Sequence, residues 1–342
     1  MFARCIAYFY RMILVTGGTG LVGSHLLYRF RESELPITAI YRDKAQLAKT
    51  RAIFNFYKPG DAALLDRFNW VQADLTNVPS LEAIMTGIKS IYHCAALIEG
   101  SFEDLKRVNV TGTENLINVA INNHVRKLCY VSSIAVLAEP TGNRPANEDD
   151  FFNLDARNSD YAISKFGGEM EVWRASQEGM DVVIVNAGVV IGEGNWNSGS
   201  GKLFSKTAGK QPFYTSGSSG FVDVRDVTAA MHQLMDSDIV NERFILVATN
   251  ETYKNILCSI ASALGKKAPN ILLRKWMLYL IYIPQLLGSI LGIKKSLSRA
   301  TINTLVSKNK YSSDAITERL SFTFQPLDTS IKRVAQAYFN YR

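Results

Sequence analysis

Cysteine and histidine are both scarce in this 342-residue chain, with four of each. Cys5, Cys94, Cys129 and Cys258 stand far apart, and no histidine falls at ligand spacing from another histidine or a cysteine. That spacing predicts no metal site and no disulfide framework, and it points to a reducing, cytoplasmic setting. Charge of one sign is lacking over most of the chain. Residues 1–270 hold 27 Lys and Arg against 28 Asp and Glu, whereas residues 271–342 hold 11 against 3. The basic character therefore belongs to the C-terminal part alone, which argues against a nucleic-acid binder. The signature of disorder is also missing. Hydrophobic residues make up 47% and charged residues 20%, enough for a sizeable core at this length.

The chain opens on MFARCIAYFYR, a short apolar stretch without a small-residue cleavage site. Residues 1–11 therefore read as an extension ahead of the first strand rather than as a secretory signal. From there, short apolar runs alternate with amphipathic stretches of helical length. Strands are predicted at Ile13–Val15, Thr38–Tyr41, Trp70–Ala73, Ser90–Cys94, Lys127–Ser132, Val182–Asn186 and Phe244–Val247. Helices are predicted at Ser24–Glu32, Asp104–Asn122 and Tyr161–Glu178. Strands separated by helices make βαβ units, and right-handed crossovers wind them into a parallel sheet covered on both faces. The Gly-, Ser- and Asn-rich stretch 192–220 breaks the alternation and predicts mobile loops beside a site. After Val247, helices without clear strands are expected. The expected architecture is α/β and doubly wound: a dinucleotide-binding domain of residues 12–190 and 221–248, with a smaller, mostly helical lobe of residues 191–220 and 249–342.

Gly17, Gly20 and Gly23 form a G-x-x-G-x-x-G pattern between the first strand and the first helix. A pyrophosphate needs unblocked N–H groups at a helix N-terminus, and glycines leave that approach open. At the end of the second strand, where an acidic residue would hold ribose hydroxyls, stand Tyr41, Arg42 and Asp43. Arg42 suits a 2′-phosphate, which favours NADP(H) over the alternative NAD(H), while Asp43 one place on would blunt that preference. Asp74, after the third strand, is placed either to accept from an adenine amine or to cap a helix.

Tyr161 and Lys165 lie four residues apart at the start of a predicted helix and so share a face. A phenol titrates near 10, and a neighbouring ammonium would lower that value. Tyr161 would then exchange a proton with a carbonyl or hydroxyl oxygen, with Lys165 also holding a ribose. Ser133 ends the fifth strand, at the edge of the sheet where ligands meet it, and is positioned to donate to a developing oxyanion. Asn109 is either structural or orients a water behind Lys165.

Together TGGTGLVG (16–23), DL (74–75), HCAA (93–96), NVTGT (109–113), SS (132–133), YAISK (161–165) and DVRDV (223–227) resemble the extended short-chain dehydrogenase/reductase superfamily. The resemblance spans about residues 12–248 and implies a Rossmann fold. It implies a catalytic triad of Ser133, Tyr161 and Lys165, with Ser132 as the fallback serine. The implied cofactor contacts are Gly17, Gly20, Leu21, Val22, Gly23, Arg42, Asp74, Leu75, Ala95, Ala96, Asn109, Ser132, Tyr161, Lys165 and Gly188. It also implies a homodimer paired through helices near Asp104–Asn122 and Tyr161–Glu178.

The sequence departs from the sugar-nucleotide branch of that superfamily. Ser216–Gly220, just before Phe221-Val222-Asp223-Val224, holds no cation for a substrate pyrophosphate, and Asn186-Ala187-Gly188 lacks the usual proline. Arg225 or Arg274 would have to supply the missing cation. The departure favours an NADP(H)-dependent oxidoreductase acting on an apolar ketone or alcohol. The alternatives are a sugar-nucleotide epimerase or dehydratase with NAD, and a non-catalytic dinucleotide-binding scaffold at a membrane. Residues 276–293 are uncharged and apolar, interrupted by Pro284, Gln285, Gly288 and Gly292. They are expected to form two short helices lining an apolar pocket. A peripheral membrane contact through 271–295 ranks second and a true span last.

Overall fold

The structure, a computed structural model, describes residues 12–290 and 299–341, without the side chains of residues 284–290. The expected extension at residues 1–11 lies outside the described residues. The strands are β1 (Met12–Thr16), β2 (Ile37–Tyr41), β3 (Asn69–Gln72), β4 (Ile88–His93), β5 (Lys127–Ser133), β6 (Asp181–Ala187), β7 (Val189–Ile191), β8 (Phe213–Tyr214), β9 (Ser218–Asp223), β10 (Glu242–Leu246), β11 (Thr249–Thr252) and β12 (Ile271–Leu272). The helices are α1 (Leu21–Arg29), α2 (Leu47–Tyr57), α3 (Val78–Met85), α4 (Phe102–Lys106), α5 (Gly112–Asn122), α6 (Asp160–Gln177), α7 (Gly201–Ala208), α8 (Val224–Asp236), α9 (Tyr253–Ala263), α10 (Lys275–Ile290), α11 (Arg299–Val306), α12 (Asp314–Leu320) and α13 (Leu327–Tyr341).

Seven strands make one sheet in the order β10-β6-β5-β4-β1-β2-β3, and every pairing is parallel. This is the doubly wound Rossmann-like arrangement. The order reverses between β1 and β4, which opens a crevice at the C-terminal ends of those strands. Side-chain alternation explains the two cores. Ile13, Val15, Cys129, Val183 and Val185 pack on one face with Leu26 and Leu27 of α1 and Met231 and Leu234 of α8. Leu14, Leu128, Val182 and Ile184 point to the other face, against Leu116 and Ile117 of α5 and Val172 of α6. The central strands β1 and β6 are buried on both sides, so their sequences are apolar nearly throughout rather than alternating, whereas the edge strand β3 has no buried residue.

Two expectations about the C-terminal part need correction. Strands do occur beyond Val247: β11 pairs antiparallel with β9, which pairs parallel with β7, and β12 pairs with β8. Thr249–Thr252 reads as a polar turn, and only its partner β9 makes it a strand. The glycine-rich stretch 192–220 likewise contains α7, β8 and the start of β9. The second correction concerns the apolar segment. Residues 275–290 form one helix, α10, that runs on through Pro284. No helix among the described residues is long and apolar enough to cross a membrane.

Candidate active site

The turn after β1 is built around two close approaches. Gly17 has φ +66°, and a Cβ there would stand 2.6 Å from the Ala95 nitrogen in the chain leaving β4. A Cβ at Gly23 would meet the Gly17 carbonyl oxygen at 2.2 Å, so Gly23 is set by the turn itself rather than by helix–strand packing. Gly20 begins α1 in an extended conformation, with no side-chain cap and no acidic residue in the first turn. The free N–H groups of that turn therefore point outward with the positive end of the helix dipole. This is the donor set that a pyrophosphate fits. A cleft of about 190 Å³ adjoins it, lined by Thr19, Gly20, Leu21, Gln46, Lys49 and Ser198 among others. Lys49 lies on α2 and belongs to no motif, so no local pattern marks it. Val22 packs on the sheet core instead.

Arg42 directly follows β2 and has an exposed side chain. Asp43, expected to blunt its charge, accepts from the Ala45 N–H at 2.9 Å and caps a short 3₁₀ turn. Asp74 accepts from the Thr76 N–H and hydroxyl, both at 2.8 Å. Burial works to raise its pKa, but those bonds and the Arg42 charge hold it below the usual carboxylate range. Its carboxylate thus fastens a turn, while Asn77 caps α3. Leu75 is core, pressed on Gly112. Gly188 approaches Gly220 of β9, where a Cβ would stand 2.6 Å from the carbonyl oxygen. Ala95 is half-buried beside Gly17, and Ala96 is exposed.

Helix α6 starts where Ser159 accepts from the Ala162 N–H at 3.1 Å, which puts Tyr161 in the first turn. The Tyr161 phenol meets the Ser133 hydroxyl. Burial pushes its pKa up, and the Ser133 hydrogen bond opposes only part of that rise. Lys165 sits one turn deeper and is 1% exposed. Its Nζ donates to the Tyr130 hydroxyl at 2.6 Å and the Val131 carbonyl at 2.8 Å. Burial brings its pKa down to about 7, although Glu169 and Cys94 act to raise it. The expected lowering of the Tyr161 value by Lys165 is therefore not found: the ammonium is turned to the strand, and the phenol is in its acid form at neutral pH.

The fallback serine and the two alternatives for Asn109 are separated by their hydrogen bonds. Ser132, one residue from Ser133, faces the other way. Its hydroxyl donates to Glu169 Oε2 at 2.5 Å, within a buried cluster that includes Asn186 and Arg243. The side chain is thereby removed from both the cofactor contacts and the fallback catalytic role. Asn109, in a π-helical turn, exchanges two bonds with the Leu97 backbone and donates to Ser164 Oγ at 2.9 Å. With its amide fully used on protein, it positions the 94–100 segment against α6 and has no donor left for a water.

That bond belongs to a longer buried chain. Ser164 Oγ donates to the Tyr161 carbonyl, and Thr113 Oγ1 to the Asn109 carbonyl. Because the Thr113 proton is committed, it accepts from His93 Nε2 at 3.0 Å, which leaves Nδ1 to accept from Thr16 Oγ1 at 2.6 Å. Burial brings the His93 pKa down to about 3, so the ring is neutral. The glycine turn and Tyr161 are thus tied together through His93 and Thr113, neither of which the sequence marked by role.

A family model described as the NAD dependent epimerase/dehydratase family matches residues 13–247. The chain is 28% identical over 274 residues to a putative dihydroflavonol 4-reductase of Synechocystis sp., which covers 77% of this chain and 75% of that protein. It is 29% identical over 267 residues to sterol demethylase protein B of Methylococcus capsulatus, with 75% and 76% covered. Cinnamoyl-CoA reductase 1 of Petunia hybrida is 24% identical over 248 residues, with 69% and 72% covered. Among solved structures, a nucleoside-diphosphate-sugar epimerase from Pseudomonas aeruginosa superposes with a TM-score of 0.77 at 19% identity, covering 97% of this chain and 98% of that one.

Proposed function

The chain belongs to the NAD dependent epimerase/dehydratase family, an NAD(P)-dependent enzyme of the extended short-chain dehydrogenase/reductase type, and we propose that it reduces an apolar ketone to its alcohol with NADPH. The observation that carries this reading is the protonated Tyr161 phenol against Ser133 with Lys165 buried behind it. A phenol held in its acid form is ready to give a proton to a carbonyl oxygen, which is the reductive direction.

The dinucleotide, when bound, supplies the hydride. The open first turn of α1 would hold its pyrophosphate, Arg42 its 2′-phosphate and Lys165 its ribose hydroxyls. Tyr161 Oη passes its proton to the substrate oxygen as negative charge develops there, and the Ser133 hydroxyl donates to the same oxygen. Lys165, bonded to the Tyr130 hydroxyl and the Val131 carbonyl, secures the strand end that carries Ser133 beside the phenol.

Three observations support an apolar substrate over a sugar nucleotide. Ser219 and the neighbouring Thr215 are buried, and residues 216–220 themselves hold no cation. Arg225, one of the two candidate substitutes, is engaged: it pairs with Glu193 at 3.1 Å and lies 4.2 Å over the Tyr57 ring, whereas Arg274 is exposed at the start of α10. The relatives' names speak of reductases and a sterol. We also infer a homodimer through α5 and α6, where Ile163 and Met170 remain exposed, and a reducing cytoplasmic setting from the free Cys94, Cys129 and Cys258. Oxidation of NADPH and of NADH over a panel of aryl, alicyclic and steroidal ketones tests the reading. Turnover with NADPH is expected; heat stabilisation by a nucleotide sugar without ketone turnover would transfer the assignment to an epimerase.

A further inference from the structure

The C-terminal part presents a surface that the catalytic reading does not use. In α10, Trp276, Leu280 and Ile283 stand at i, i+4 and i+7 and form one stripe, 57%, 59% and 49% exposed. Leu278, on the opposite face, is buried at 3% and ties the helix to the protein. The inward face is therefore already satisfied, and the outward face is a row of large apolar side chains in water. The two-stranded sheet that leads into the helix adds Phe213 and Ile271, which pair in register and are both exposed. Contiguous apolar surface of this kind marks an interaction site.

The charge around it selects the partner. From Thr252 to Ser313 there is no acidic residue, while ten Lys and Arg occur there. Arg274 and Lys275 open α10 and are exposed, Lys294 and Lys295 follow it in sequence, and Lys266 and Lys267 precede β12. Apolar side chains in one helical stripe, with a tryptophan at its end and cations on the flanks, match the interface of an anionic bilayer: acyl chains for the stripe, headgroup phosphates for the cations. An apolar protein partner would not call for a segment of 62 residues cleared of acids. We propose that α10 lies flat in the headgroup region of an anionic membrane surface and docks the enzyme there, without crossing it.

Sedimentation of the full-length protein with vesicles of phosphatidylcholine alone and of phosphatidylcholine with phosphatidylglycerol tests this. Binding to the anionic vesicles at least about tenfold tighter than to the neutral ones is expected, weakening as salt rises. Trp276 emission should move to shorter wavelength on binding, and a Trp276→Phe control should lose that change. Leu280→Glu should weaken vesicle binding about tenfold or more, and Arg274→Glu with Lys275→Glu should remove the anionic preference. Both substitutions lie on exposed positions, and circular dichroism checks that the fold is kept. Equal sedimentation with both lipids, or binding untouched by Leu280→Glu, overturns the proposal. A dimer that Leu280→Glu dissociates, with no vesicle binding, also overturns it and gives the stripe to a second copy of the chain. None of these readouts uses turnover, so their failure leaves the catalytic reading standing.

Discussion

At the C-terminal edge of the seven-stranded sheet, buried polar groups are joined from Thr16 through His93, Thr113, Asn109 and Ser164 to Tyr161. Around α10 the reverse holds: large apolar side chains stand in water. The first arrangement aligns two backbone features, a glycine turn and a helix start, whose separation chemistry must control to a fraction of an ångström. The second makes no such demand, because a fluid or variable partner tolerates a loose fit. The contrast is between a polar edge held by many bonds and an apolar surface left in water. Glu193 ties the two together. It pairs with Arg225 at 3.1 Å and Arg333 of α13 at 2.7 Å, and its carbonyl meets His25 of α1.

The largest expected effect breaks the sheet side of the contrast. Tyr161→Phe removes the proton donor and should lower kcat by about 10²–10⁴-fold, with an unchanged melting temperature; stopped-flow NADPH oxidation and calorimetry check the two. The adjacent serines sharpen it. Ser133→Ala should cost about tenfold or more in kcat, whereas Ser132→Ala should leave kcat within a few-fold and lower stability by about 1 kcal/mol. Equal kinetic effects at the two positions would refute the opposed orientation.

Glu193→Gln breaks the tie between the regions. Two arginines would lose their shared carboxylate, and a loss of about 2–3 kcal/mol is expected in denaturant titrations. Burial opposes the Glu193 charge, yet His25, Arg333 and Arg225 hold its pKa down at about 2. With an unfolded value near 4.3, its contribution is present above that pH and is lost as pH falls from about 4 to about 2. The Gln variant should therefore lack this part of the acid transition.

Smaller effects concern the cofactor. Arg42→Ala should raise the KM for NADPH about tenfold and leave that for NADH nearly unchanged. Burial brings the Lys165 pKa down to about 7, and an anionic dinucleotide beside it would raise that value. Binding should thus take up a proton above pH 7 and weaken as pH rises further, by at most about tenfold per unit. Calorimetry in buffers of different ionisation enthalpy reads the uptake. Tyr130→Phe should remove the acceptor of the Lys165 ammonium and shift that pH profile.

The seven sheet strands were legible in the sequence because each is a short apolar run closed by turn residues. Tyr161, Lys165 and the three glycines were legible because helix and turn geometry fix their spacing. What escaped had no local period to reveal it. β11 is polar and becomes a strand only beside β9. The turning of Lys165 to Tyr130, and the full use of Asn109 on Leu97 and Ser164, depend on residues 12 to 55 positions away. The sequence favours Ser133 with Ser132 as the fallback, and only the strand's pleat shows that the two side chains face opposite ways. In α10, Pro284 signalled a break that the helix does not make.

The most direct test of the catalytic assignment is isotopic. NADPH carrying deuterium at both hydrogens of the nicotinamide C4 is incubated with the protein and an apolar ketone it turns over. The expected result is an alcohol bearing one deuterium on the former carbonyl carbon, absent with Tyr161→Phe. Product without deuterium, or label that stays on the dinucleotide while substrate isomerises, would contradict it.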